Sequence, residues 1–163
     1  MAGRTKTEPI VTAAPVALDW PRLIAIILAV LGVLVAGYLT WAEVTGNETV
    51  CAETGLINCE TVQTSAYAST FGIPVALLGL VGFLGMLLIL LLEDQVPFLA
   101  QYGRTLVLAA ALFGVLFQLY LSVIEATVLE AWCQWCIASF VIVALIFAIA
   151  VYRLRRFLQP LRS

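Results

Sequence analysis

The sequence predicts an all-α membrane protein, a four-transmembrane-helix bundle with an extracytoplasmic loop and a short lid helix after the first span. Of the 163 residues, 63% are hydrophobic and only 11% are charged, whereas a soluble domain carries about 25% charged residues. The mean hydropathy is +1.09. Four windows contain no charged residue, namely 23–42, 61–92, 105–124 and 131–152. Each is long enough to cross about 30 Å of hydrocarbon as a helix.

The first elements are a tail, a span and a loop. Residues 1–22 are rich in Pro, Thr and Ala, and we expect a mostly disordered tail. The first span, 23–42, is longer than the apolar region of a usual signal peptide, and no A-x-A-like cleavage site follows it. The outer loop covers 43–70. Its last ten residues are too polar for a span, so we expect the lid helix there, across the outer mouth of the bundle.

The three remaining spans complete the bundle, which covers residues 23–152. The second span is predicted over 71–92, with Pro74 in its first turn, where proline costs least. Three glycines of this span are interpreted as small residues that let helices approach closely: Gly79, Gly82 and Gly85. The third and fourth spans are predicted over 105–124 and 132–152, and a basic tail follows over 153–163.

The distribution of charge predicts the topology. Sorting the connections by side puts all eight basic residues on one face, with a net charge of +4, and leaves the other face with no base and a net charge of −6. By the positive-inside rule, both termini and the middle loop are cytoplasmic, and the two acidic loops face outward. Glu125 and Glu130 of the second acidic loop are interpreted as a solvated face.

Composition excludes several function classes. The chain has no histidine, so the usual ligands of haem and catalytic zinc and the commonest general base are missing; we expect no metal. A net charge of −2 with no basic stripe argues against nucleic-acid binding. There is also no Gly-rich phosphate-binding loop.

All four cysteines fall on the predicted outer side: Cys51 and Cys59 in the first loop, and Cys133 and Cys136 at the start of the fourth span. Thiols outside the cytoplasm can be oxidised to disulfides. The second pair forms a C-x-x-C motif that opens a hydrophobic helix. We expect both of its sulfurs in the first helical turn, where free N–H groups and the helix dipole lower a thiol pKa.

Two cysteine pairs at one end of a membrane bundle indicate an electron relay. Thiol–disulfide exchange moves two electrons per step and needs a terminal acceptor; we infer a quinone, the abundant lipid molecule that takes two electrons and two protons. The alternative is two static disulfides that pin a scaffold or transporter subunit. A C-x-x-C disulfide is a poor entropic staple, and few ionisable groups lie within the spans for a transport path. Gln118 is interpreted as an interhelical hydrogen-bonding residue.

Several features occur together between residues 23 and 152: four spans, the pair Cys51 and Cys59, Ser65 six residues later, Phe71-Gly-Ile-Pro74 opening the second span, and Cys133-Gln-Trp-Cys136 opening the fourth. This combination resembles the vitamin K epoxide reductase family, in particular its bacterial homologues. The resemblance implies that Cys51 meets the thiol partner, that Cys59 exchanges with Cys133, and that Cys136 and Ser65 lie at the ring of a ubiquinone or menaquinone. It also implies a location in the bacterial plasma membrane.

Two positions depart from the family pattern. Animal members have an asparagine and a tyrosine that hydrogen-bond the quinone oxygen at positions where this sequence has Ala68 and Phe140. We therefore assign both to the quinone site by position and do not expect epoxide reduction. Many bacterial relatives carry a thioredoxin-like domain after a fifth span. Since this sequence ends at Ser163, after its fourth span, we expect a separate DsbA-like or thioredoxin-like partner. A DsbB-like quinone oxidoreductase is the enzymatic alternative, although in that family the C-x-x-C comes in the first outer loop.

Overall fold

The computed structural model describes residues 19–52, 55, 57–70 and 72–159. The predicted N-terminal tail up to residue 18, Phe71 and the last four residues of the basic tail lie outside the described residues. The elements are α1 (Trp20–Thr45), α2 (Cys59–Gln63), β1 (Ser69–Thr70), β2 (Ile73–Pro74), α3 (Val75–Leu92), α4 (Pro97–Ile124), a π-helical segment (Glu125–Leu129) and α5 (Gln134–Leu158). The long helices α1, α3, α4 and α5 are long and apolar enough to cross a membrane, which confirms the predicted all-α bundle.

The four long helices form a ring, in which α1 packs against α3 and α5, and α4 packs against α3 and α5. Large apolar side chains remain exposed on every one of them, for example Leu34, Leu88, Phe113 and Val141. In water such a surface would aggregate, but in a bilayer it contacts lipid. The ring therefore has the apolar exterior of a membrane-spanning unit.

The helices extend beyond the predicted spans because single charged residues do not end them. Helix α4 begins at Pro97 and includes Arg104, whose guanidinium lies 4.6 Å from the centroid of the Phe157 ring. Helix α5 continues through Arg153 to Leu158. Long basic side chains keep their charged ends at the interface while their stems run along apolar surface, so charge-free windows underestimate helix length.

Close packing in the bundle centres on small residues of α1, and of the three glycines in the second span only Gly79 faces them, since a Cβ atom there would lie 3.9 Å from the Ala36 Cβ. Gly32 is buried, and a Cβ atom there would overlap the ring of Phe83 on α3. By contrast, a Cβ atom on Gly82 or Gly85 would meet nothing within 4 Å. The interpretation of those two glycines as helix-contact residues was therefore wrong, because the apolar run gave no information on which face of α3 meets α1.

A carboxylate holds the helices together at the end of the bundle away from the cysteines. Glu93, at the end of α3, is buried, and its two oxygens lie 3.0 and 2.9 Å from one guanidinium nitrogen of the buried Arg153 on α5. Arg104 of α4 is 3.3 Å from the same carboxylate, and Arg22 of α1 is 4.0 Å from it. All four long helices thus contribute to one ionic cluster, and Asp94 adds a more exposed partner for Arg22.

The lid differs in detail from the prediction. Its helix, α2, runs from Cys59 to Gln63 and not over the last ten residues of the loop. It begins there because the Asn58 side chain accepts a hydrogen bond from the Thr61 amide at 3.0 Å, as an N-cap residue does. Turns follow, then the short antiparallel hairpin of β1 and β2, with Gly72 at φ 78°. Pro74 is the N-cap residue of α3.

Candidate functional site

Cys51 and Cys59 form a disulfide, with their Cα atoms 6.1 Å apart. Cys51 lies in the extended loop, whereas Cys59 is the first residue of α2 and is 1% exposed. The sequence suggested a flexible loop that carries both sulfurs. The structure instead places the second sulfur on a capped helical turn, so only the Cys51 side of the disulfide is partly exposed.

Cys133 and Cys136 are free thiols at the start of α5. Cys133 is the N-cap residue and not a first-turn residue, and it is fully buried. The Cys136 thiol hydrogen-bonds to the Cys133 sulfur and lowers the pKa of Cys133 below its ordinary value, with smaller contributions from the amides of Cys136 and Trp135; desolvation opposes them. The reduced pair therefore has one sulfur prepared to act as a thiolate.

The structure brings the two cysteine pairs together. Cys59 and Cys133 belong to one small buried cluster, against which Cys51 and Cys136 also pack. The backbones that lead into them are joined, because Ile57 pairs with Trp132 in a parallel bridge and the Asn58 amide donates to the Trp132 carbonyl at 3.1 Å. Disulfide exchange needs Cα atoms about 4.4–6.8 Å apart. Neighbouring segments of a bridge lie at about that separation.

The two residues inside the C-x-x-C motif bind the loop that carries Cys51. The Gln134 side chain accepts from the Ala52 amide at 3.3 Å and donates to the Val50 carbonyl at 3.2 Å. The Trp135 indole donates to the same carbonyl at 2.9 Å. Tyr38 of α1 completes this clamp, since its hydroxyl accepts from the Val50 amide at 2.9 Å. The contacts of Gln134 and Trp135 join residues more than 80 positions apart, so the sequence pattern did not indicate them.

Glu125 is a site residue that the sequence interpretation missed. It is 4% exposed, so its assignment to a solvated face was wrong. The π-helical segment that it opens turns its carboxylate inward: one oxygen accepts from the Cys133 amide at 3.3 Å, and the Cys136 thiol lies close to the carboxylate. The available signal was an acid at the end of a charge-free span and eight residues before the C-x-x-C motif. Glu130 is exposed, as predicted.

A cavity of about 100 Å³ lies beneath the lid at the same end of the bundle. Its lining is mostly apolar and comes from all four long helices and the lid. Cys136 and Glu125 line it together with Ser65, Ala68 and Gln118. An apolar cavity of ~150 Å³ binds benzene in another protein. The present cavity has about two thirds of that volume, and its apolar lining suits an aromatic or quinonoid ring.

The assigned ring-site residues fall in two places. Ser65 and Ala68 line the cavity beside Cys136, although the Ser65 hydroxyl already donates to the Val62 carbonyl at 2.7 Å. Phe140 is not among the lining residues; it packs against the main core of the bundle. Phe140 does not reach the cavity because it lies one helical turn beyond Cys136 along α5, where it packs between the helices.

The site thus contains a disulfide, a neighbouring dithiol, a buried carboxylate and an apolar cavity next to one thiol. Such a set can pass two electrons between a disulfide and an apolar acceptor without a metal. The family model described as the vitamin K epoxide reductase family matches residues 23–151, which is most of the chain.

Proposed function

The chain belongs to the vitamin K epoxide reductase family, and from that premise we propose that it is a membrane thiol–quinone oxidoreductase. Its role is to reoxidise a DsbA-like or thioredoxin-like protein outside the cytoplasm and so to support disulfide bond formation. One observation carries the proposal: Cys59 and Cys133 share a buried cluster, while Cys136 of the same dithiol lines an apolar cavity.

The proposed relay has four exchanges. A thiolate of the partner protein attacks the partly exposed Cys51 sulfur and releases Cys59, and the partner leaves as a disulfide when its second thiol resolves the intermediate. Cys59 then attacks the Cys133–Cys136 disulfide at Cys133 and releases Cys136. Cys51 finally attacks Cys59, which restores the first disulfide and leaves the second pair reduced. The observed combination of a Cys51–Cys59 disulfide with free Cys133 and Cys136 corresponds to this stage.

The dithiol is then reoxidised by a quinone of the ubiquinone or menaquinone class, which is the substrate that supplies oxidising power. Ser65 and Ala68 border its proposed site, and the Gln118 amide can donate a hydrogen bond to a quinone oxygen. Epoxide reduction is not part of the proposal, because the methyl of Ala68 and the ring of Phe140 offer no hydrogen-bond donor. Phe140 would act through packing against the core.

The proposed orientation puts the cysteine end outside a bacterial plasma membrane and both chain termini in the cytoplasm. The ionic cluster of Glu93 with three arginines lies at the opposite end of the bundle from the cysteines. Lys and Arg accumulate on the cytoplasmic side of membrane proteins. This distribution supports access of the cysteines to an oxidising compartment and to a water-soluble thiol partner.

The experiment follows quinone consumption by the reduced protein in detergent micelles. The protein is reduced with a thioredoxin-like dithiol protein, and a short-chain ubiquinone or menaquinone analogue is added. We expect one quinone to be reduced per dithiol, with loss of free thiols. In Cys136→Ser a partner variant that lacks its second thiol is still trapped as a mixed disulfide with Cys51, but quinone is not reduced. A static scaffold predicts that wild-type thiols persist after quinone addition, and turnover by Cys136→Ser at the wild-type rate would contradict the assigned relay.

A further inference from the structure

Glu125 lies at the junction of the two free thiols and the cavity. Its carboxylate accepts a hydrogen bond from the Cys133 amide at 3.3 Å, and the Cys136 thiol, which also neighbours the Cys133 sulfur, lies close to the carboxylate. Glu125 is 4% exposed and lines the cavity beside Cys136. A carboxylate in this position reaches the proton that must leave when the dithiol is oxidised.

The described residues that line the cavity with Glu125 include no lysine or arginine. The titratable groups among them are Glu43 of α1, Tyr67 of the lid and Cys136 of α5, and helix α4 contributes the neutral Gln118. The hydrogen bond from the Cys133 amide is therefore the observed contact that stabilises a charge on Glu125. A purely structural ion pair does not explain this carboxylate.

We propose that Glu125 is the catalytic base that takes the Cys136 thiol proton during quinone reduction and returns it to the hydroquinone. This inference rests on the proposed function. In the balanced step two S–H bonds break and the Cys133–Cys136 bond forms, so the dithiol loses two electrons and two protons. The electrons pass to the quinone, and the protons complete the two O–H bonds of the hydroquinone. Glu125 holds the Cys136 proton in between and ends as a carboxylate.

The decisive variant is Glu125→Gln, measured with the exposed Glu130→Gln as its matched control from the same connection. Glutamine keeps an oxygen that accepts the Cys133 amide, so it conserves the position of the C-x-x-C motif but not the base. General acid–base catalysis contributes roughly 10²- to 10⁴-fold, and we expect quinone reduction by pre-reduced Glu125→Gln to slow by that order. Glu130→Gln keeps the wild-type rate.

The pH profile separates a base from a structural support. The wild-type rate of quinone reduction falls toward acid pH as the Glu125 carboxylate becomes protonated. In Glu125→Gln this acid limb is replaced by a rise at higher pH, where the thiol ionises by itself. Glu125→Asp retains a carboxylate and recovers both the limb and part of the rate. Exchange between the reduced partner and the Cys51–Cys59 disulfide, measured on every variant, reports an intact fold.

The outcomes distinguish the two proposals. If wild-type protein exchanges disulfides with the partner but does not reduce the quinone, the proposed function fails. If wild-type protein reduces the quinone and Glu125→Gln does so at the same rate with the same pH profile, only the role of Glu125 is overturned. If Glu125→Gln is misfolded by the exchange test, Glu125→Asp decides the matter, since loss of its acid limb in a folded variant refutes the base.

Discussion

Replacing Glu93 by glutamine removes the one carboxylate that all three buried or half-buried arginines of the ionic cluster approach. Its side chain is 4% exposed and that of Arg153 is 5% exposed. Removing one partner of a buried ion pair costs about 3–5 kcal/mol, because the remaining charge stays buried and unpaired. Glu93→Gln also leaves the positive charges of Arg104 and Arg22 near Arg153 with less negative charge to balance them. We therefore expect the variant to lose the full ~3–5 kcal/mol of unfolding free energy.

The matched control is Asp94→Asn, which makes the same chemical change at the neighbouring residue. The Asp94 side chain is 44% exposed where it pairs with Arg22, and an ion pair at that exposure contributes about 0–1 kcal/mol. For a chain of this length, 1 kcal/mol corresponds to about 2–4 °C in Tm. Glu93→Gln should thus lower Tm by roughly 6–20 °C and Asp94→Asn by no more than about 4 °C.

The assay is thermal unfolding in detergent micelles, followed by far-ultraviolet circular dichroism. A third variant, Glu93→Gln combined with Arg153→Met, removes both partners of the closest pair and should recover part of the lost stability, because an apolar replacement of a buried pair is often neutral. Equal Tm losses in Glu93→Gln and Asp94→Asn would refute the reasoning, since burial would then make no difference to the two carboxylates.

Three further predictions concern single contacts. Gly32→Ala should lower the free energy of unfolding by about 1–3 kcal/mol, because the new methyl overlaps the Phe83 ring. Gly82→Ala places a Cβ atom where nothing lies within 4 Å, so in thermal unfolding it should be neutral or stabilising by up to about 1 kcal/mol. Trp135→Phe keeps a ring but loses one hydrogen bond to the loop, worth about 1 kcal/mol, so hydrogen exchange of the loop amides should accelerate about fivefold. In the reduced protein the thiolate absorbance of Cys133 should appear at lower pH than that of an ordinary cysteine, because the Cys136 thiol lowers the pKa of Cys133. Cys136→Ala should move this absorbance to higher pH. An unchanged titration in that variant would contradict the assigned cause.

The sequence predicted the bundle because the requirement to cross a bilayer leaves charge-free windows of about 20 residues, as at 105–124. It also predicted that the four cysteines lie at one end of the bundle, because their order relative to the spans is enough to place them there. It did not predict the inward turn of Glu125, because a π-helical segment changes the face on which a residue lies without altering composition or period. The pairing of Glu93 with Arg153 was equally hidden, because charge counts assign a side of the membrane and not a partner.

The contact of Phe83 with Gly32 links two parts of the molecule, because the same ring also borders the cavity under the lid. A larger side chain at position 32 has to displace the ring, and the open volume beside Cys136 is one place for it to go. The size of the side chain at this buried position of α1 thus limits the size of the molecule that the cavity beside Cys136 can admit. A change of acceptor preference therefore does not require a change at the cysteines. A substitution at position 32, in the middle of α1, can also produce it.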